Sequence, residues 1–165
     1  YEEWGDLSSG AYCDYNNNST NSETYGRLYN GYTVDDSRDV CPDYWHIPSD
    51  AEFMELEMYL GMSESEANDT DWRGTNEGSK LAGNADLWYE EGDLETDSEF
   101  GTSGFSAFPA GYREHSNFNY ATMGHNIYLW SSSEYIRMLN CYSSNVIRWD
   151  GEDKHNGFSI RCLKD

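Results

Sequence analysis

The side chains best able to do chemistry lie in residues 126–165. Two kinds of position alternate there. Trp130-Ser131-Ser132-Ser133-Glu134-Tyr135, then Val146 and Arg148, then Gly157-Phe158-Ser159-Ile160-Arg161-Cys162-Leu163, read as a scaffold. Between them lie Ile136, Arg137, Asn140, Cys141, Tyr142, Ser144, Asn145, Ile147, Trp149, Asp150, His155 and Asn156. This second set follows no core periodicity and mixes apolar, aromatic, cationic, anionic, thiol and amide groups. Such a surface suits recognition. Tyr142 and Trp149 would anchor a partner, because large rigid rings give contact area at low entropic cost, and the polar members would set specificity. On residue types alone, an ordinary hairpin with one solvated face fits at least as well.

Other chemistry is harder to read. No nucleophile–histidine–acid order stands out, and carboxylates are too abundant for a pair to mean anything, so no catalytic residue and no enzyme activity is expected. His46, between Trp45 and Pro48, could act as an acid or base, but its place before a helix favours a packing role. His115 and His125, like His155, have no partners at metal-ligand spacing. The acidic stretches at Asp69 and Asp71 and at residues 86–99 offer oxygen ligands for calcium. They lack the spaced D-x-D-x-D-G loop, and Trp149-Asp150-Gly151 only partly echoes the Trp-Asn-Asp of calcium-dependent lectins. Solvated loops are expected, no metal site is assigned, and calcium is the minority reading. The cysteines, Cys13, Cys41, Cys141 and Cys162, form no zinc spacing. A Cys41–Cys162 bridge is one candidate pairing. Reduced core thiols are an equal alternative.

The elements that must position these residues are short. Ser49 and Glu52 form a capping box ahead of Phe53, Leu56 and Leu60 at helical spacing, with Met54 and Met58 alongside, and Gly61 ends the helix. Residues 12–21 read as an Asn-rich loop. Residues 24–34 have strand composition, with Leu28, Tyr29, Tyr32 and Val34 as core candidates. Residues 105–113 alternate like a strand around a proline, and Tyr128-Leu129-Trp130 reads as another strand. Residues 144–149 and 157–163 look like a terminal hairpin turning at 151–154. Long loops between such elements point to function.

Bulk numbers bound the rest. One domain is expected of 165 residues. Against 10 basic residues stand 31 acidic ones, a net charge of −21. That field repels phosphates and anionic membranes, so nucleic-acid partners are not expected. No segment resembles a transmembrane span or signal peptide, so direct membrane insertion is not expected. Because residue 1 is Tyr, a trimmed N-terminal segment is expected. Aromatics make up 16% of the chain, and 15 residues are Gly, as in a loop-rich mixed fold.

Five motifs occur in order: Gly26-Arg27-Leu28-Tyr29-Asn30; Cys41-Pro42 with Trp45-His46-Ile47-Pro48-Ser49-Asp50-Ala51-Glu52; Gly104-Phe105-Ser106-Ala107-Phe108-Pro109 with Gly111-Tyr112-Arg113; Trp130-Ser131-Ser132-Ser133-Glu134-Tyr135; and Gly157-Phe158-Ser159-Ile160-Arg161-Cys162. Together they resemble the major paralogous domain of Fibrobacter (FISUMP). The helix entry and terminal strand also resemble formylglycine-generating-enzyme-like domains. The resemblance implies an α+β, C-type-lectin-like fold over residues 1–165: a small antiparallel sheet, one or two helices, long loops, and first and last strands paired. It carries no catalytic residue over, since Cys141 and Cys162 reproduce no known pattern.

The chain also resembles variable proteins of diversity-generating retroelements, in which adenine randomisation makes AAC-type Asn codons hypervariable. That implies a variable binding region at about 126–156. Ile136, Arg137, Asn140, Cys141, Tyr142, Ser144, Asn145, Ile147, Asp150, Gly151, His155 and Asn156 fit such codons. Met138, Trp149, Glu152 and Lys154 do not. The expected function is recognition of a protein or surface-glycan target by a monomer at an extracellular, cell or virion surface. The alternative is a non-diversified surface adhesin or lipoprotein module binding a fixed polysaccharide, with or without calcium.

Overall fold

Ser49 and Glu52 start their helix as the spacing predicts. The Ser49 hydroxyl accepts from the Glu52 N–H and the Glu52 carboxylate accepts from the Ser49 N–H, which satisfies two orphan donors at the helix start. The helix runs Asp50–Tyr59 (α3). The computed structural model describes residues 2–90, 92–116 and 119–165. The chain is an α+β protein with antiparallel sheets.

Ahead of α3 come α1 (Glu2–Gly5), β1 (Tyr12–Cys13), α2 (Ser19–Tyr25), β2 (Leu28–Asn30) and β3 (Trp45–His46). After it come α4 (Glu64–Asn68), β4 (Asp71–Arg73), α5 (Glu77–Leu81), α6 (Asp93–Thr96), β5 (Tyr112–Arg113) and β6 (Tyr120–Ala121). The chain closes with β7 (Asn126–Trp130), β8 (Tyr135–Asn140), β9 (Ser143–Asp150), β10 (Gly157–Phe158) and β11 (Leu163–Lys164). Among the described residues the strands form three sheets, in the orders β1-β2-β10-β5-β6, β11-β3 and β4-β9-β8-β7.

Several expectations are corrected. The expected terminal hairpin is absent: β9 pairs with β8 and β4, while β10 pairs with β2 and β5. The real hairpin is β8–β9, closed at Cys141-Tyr142. First and last strands do not pair: β1 pairs β2, and β11 pairs β3. Residues 19–25 form a helix in place of loop and strand, because Asn18 caps it by accepting from the Thr20 N–H.

The main core packs Phe53, Leu81, Trp88, Leu94, Ile127, Leu129, Leu139 and Val146 between α3 and one face of the β7–β9 sheet. A second cluster joins Trp130 and Ile136 to Phe158. Cys41 and Cys162 are bonded across 121 residues, and this ties β11 back to the loop before β3. Cys13 and Cys141 are free thiols.

Candidate functional site

Successive side chains of a strand point to opposite faces, so the register sorts the candidate residues. In the four-stranded sheet, Trp72 pairs with Ile147, Ile147 with Met138, and Ile136 with Trp149. These share one face. Arg73, Arg137, Val146 and Arg148 share the other, which packs on α3.

That inner face carries a buried ion network. Glu57 sits on the buried side of α3 and is fully enclosed. Arg73 Nη2 and Arg137 Nε each lie 2.7 Å from Glu57 Oε1. Arg137 Nη1 is 2.8 Å from Asp50 Oδ1, and Arg148 Nη2 is 2.7 Å from Asp50 Oδ2. Arg148 also donates to the Asn68 and Asp69 carbonyls and stacks 3.5 Å from the Tyr135 ring centroid. Burial alone would push the Asp50 carboxyl up, but hydrogen bonds from Arg148 and the charge of Arg137 outweigh it and hold the group below its ordinary value. Asp50 in turn holds Arg148 above its usual range.

Arg137, expected as a contact residue, is therefore part of the frame, 1% exposed. Ile136 is buried against Trp130 and Phe158. Cys141 is buried in the main core, and its backbone pairs with His125 and Leu94. Burial pushes its thiol up. Asn156 is buried, accepting from the His115 N–H and donating to Glu152. These four do not present themselves to a ligand. Ile147 is buried between its neighbours Trp72 and Met138, and contributes the floor of the outer face.

The remaining candidates are placed as follows. Trp149 is 49% exposed, and Trp72, on the neighbouring strand opposite Ile147, is 45% exposed. Asp150 is exposed at the end of β9. At the opposite end Tyr142 is exposed in the turn. Its ring lies 5.9 Å from Tyr89, which stacks on His125 at 4.8 Å. Asn140 is half-buried, donating to Asn126 and accepting from the Tyr142 N–H, and this shapes the turn. Ser144 and Asn145 donate to the Thr75 and Gly74 carbonyls and are half spent as tethers. His155 lies apart, between Asp153 and Tyr32. β9 alone spans roughly 25 Å at about 3.3 Å per residue. The exposed aromatics therefore sit at two ends of one strip.

Trp72, Tyr89 and His125 were missed from sequence. A three-residue strand such as β4 has no readable period, and only its register with Ile147 reveals Trp72. His46 is held by Glu52 Oε1 at 2.9 Å and Asp165 Oδ1 at 2.6 Å, fixing the helix entry to the last strand. Among the described residues, no three His, Cys, Asp or Glu side chains are gathered to hold a metal ion. No helix among them is long and apolar enough to cross a membrane.

No curated protein and no solved structure matches the chain. A family model described as the Fibrobacter succinogenes major domain matches residues 2–164, the same stretch that carries the five ordered motifs, and the chain belongs to that family.

Proposed function

We propose that this protein is a recognition module, without enzyme activity, whose β8–β9 hairpin displays contacts to a macromolecular target outside the cell. One observation supports this most: exposed rings stand at both ends of a strip whose backbone is fixed by the ion network beneath. A rigid frame lowers the ordering cost of binding while outer side chains change. A strip of about 25 Å matches a protein or glycan surface better than a small molecule. We further propose a C-type-lectin-like fold and diversification by a retroelement. Trp149, with Tyr142, anchors the target.

The test is to sequence the locus. A near-identical template repeat beside a reverse transcriptase gene, differing only at adenines, is expected. Differences should fall at Asn140, Tyr142, Ser144, Asn145, Asp150 and His155 and spare the buried Arg137 and Cys141. Absence of such a repeat would reject diversification.

The second reading, a fixed adhesin for a polysaccharide, has one observation in its favour. Trp72 lies outside the variable region and Trp149 is not reachable from an AAC codon, so the two largest exposed rings of the face are fixed. Glycan and protein arrays, with and without calcium, separate the two readings.

A further inference from the structure

A cleft of ≈ 560 Å³ opens beside β1 and β2, and none of its lining residues belongs to the 126–156 region. One wall is an Asp36–Arg38 pair. Arg38 Nε donates to Asp36 Oδ1 at 2.8 Å, and Arg38 Nη2 donates to both Asp36 Oδ2 and the Gly10 carbonyl. The Gly10 N–H donates to Asp36 Oδ2 at 3.0 Å. A Cβ on Gly10 would meet Asp36 Oδ2 at 2.5 Å and the Thr33 Cα at 3.0 Å, so a larger residue here would displace this wall. The other wall is aromatic. The Tyr12 and Tyr29 rings are 6.1 Å apart and tilted by 56°, and Arg27 lies 4.3 Å over Tyr12.

Several donors in this cleft are unspent. Arg27 reaches Asp14 only through Nε, at 3.6 Å, and its two terminal nitrogens have no partner among the described residues. The same holds for the hydroxyls of Tyr12 and Tyr29. A fitting ligand must accept several hydrogen bonds and lay an apolar face on tyrosine rings. It must also be uncharged. Arg27 and Arg38 are matched by Asp36 and Asp39 in the lining, and the chain's net −21 opposes anions. A pyranose ring has this chemistry: C–H groups on one face and hydroxyls around its edge.

We propose that this cleft binds a neutral pyranose, free or at the end of a glycan. It is independent of the β8–β9 face. The experiment is an amide-shift titration of the ¹⁵N-labelled protein with methyl glycosides of glucose, galactose, mannose and xylose, and with sodium glucuronate as the anionic control. At least one neutral glycoside should shift Gly10, Tyr12 and Arg27 saturably. Arg27→Ala and Tyr12→Ala should each weaken binding by about tenfold, while Trp149→Ala leaves it unchanged. Arg27→Lys, which keeps the charge and loses the planar donor fork, is the second variant should alanine disturb the fold. Tighter binding of a matching trisaccharide would assign a glycan end, and equal binding a free sugar. No saturable shift at these amides up to about 100 mM, or a response to glucuronate alone, overturns the proposal.

Discussion

Arg137→Ala removes one of two cations from the fully enclosed Glu57, which keeps Arg73, and one of two from the partly buried Asp50, which keeps Arg148. Breaking a buried pair from one side costs up to about 3–5 kcal/mol when the remaining charge is uncompensated, and the arginines that stay hold this loss toward the lower end of that range. Urea unfolding should show a loss of that order. Trp149→Ala, at a half-exposed position, should lose less than about 1 kcal/mol while weakening target binding. If Trp149→Ala unfolds the domain instead, the ring is core and the recognition face is wrong. His46 sets a pH dependence. Hydrogen bonds that the ring donates to Asp165 and then to Glu52 raise its pKa above the ordinary value. The folded state thus holds the proton more tightly than the unfolded one. The contribution is fully present below about pH 6.5 and is lost as pH rises through the raised value. The protection factor of the Leu163 amide should fall over that window, and His46→Gln should abolish the fall.

At the scale of elements, legibility followed locality. The α3 start was readable because both halves of its capping box lie within four residues, and Ser49→Ala should cost about 1 kcal/mol in a thermal melt. Leu56 of α3 and Leu60 at its C-cap do pack against the core, but Glu57 beside them was not readable as buried. Its partners come from β4 and β8, distant in sequence. The β8–β9 hairpin was hidden for another reason. Its turn, Cys141-Tyr142, carries none of the Asn-Gly or Asp-Gly signals that mark two-residue loops, whereas residues 151–154 do look like a turn. α5 meets β9 so closely that a Cβ on Gly78 would stand 2.3 Å from the Asn145 carbonyl oxygen. Gly78→Ala should therefore shift α5 and cost about 1–3 kcal/mol, read by urea midpoint.

For the molecule as a whole, the Cys41–Cys162 bond closes a loop across 121 residues. Its removal frees the unfolded chain, and the paired variant Cys41→Ser with Cys162→Ser should lose about 2–5 kcal/mol. A melt of the oxidised and reduced wild type gives the same comparison. An unchanged melting temperature would mean that β3–β11 pairing alone holds the terminus. The acidic excess acts at this scale too. A net charge of −21 opposes the approach of anions to the molecule as a whole.

The sequence by itself determined the α+β class, the family through its five motifs, the α3 boundary and the strand content of residues 128–130 and 144–149. Each rests on local pattern: alternation, caps and motif order. Which side chains of the C-terminal region face outward was decided by tertiary structure. A strand's parity becomes a face only when its neighbours are known, so Arg137 reads like Tyr142 until pairing turns the first to the buried face and leaves the second in the exposed hairpin turn. Trp72 joined Trp149 for the same reason, through a register set between strands more than seventy residues apart.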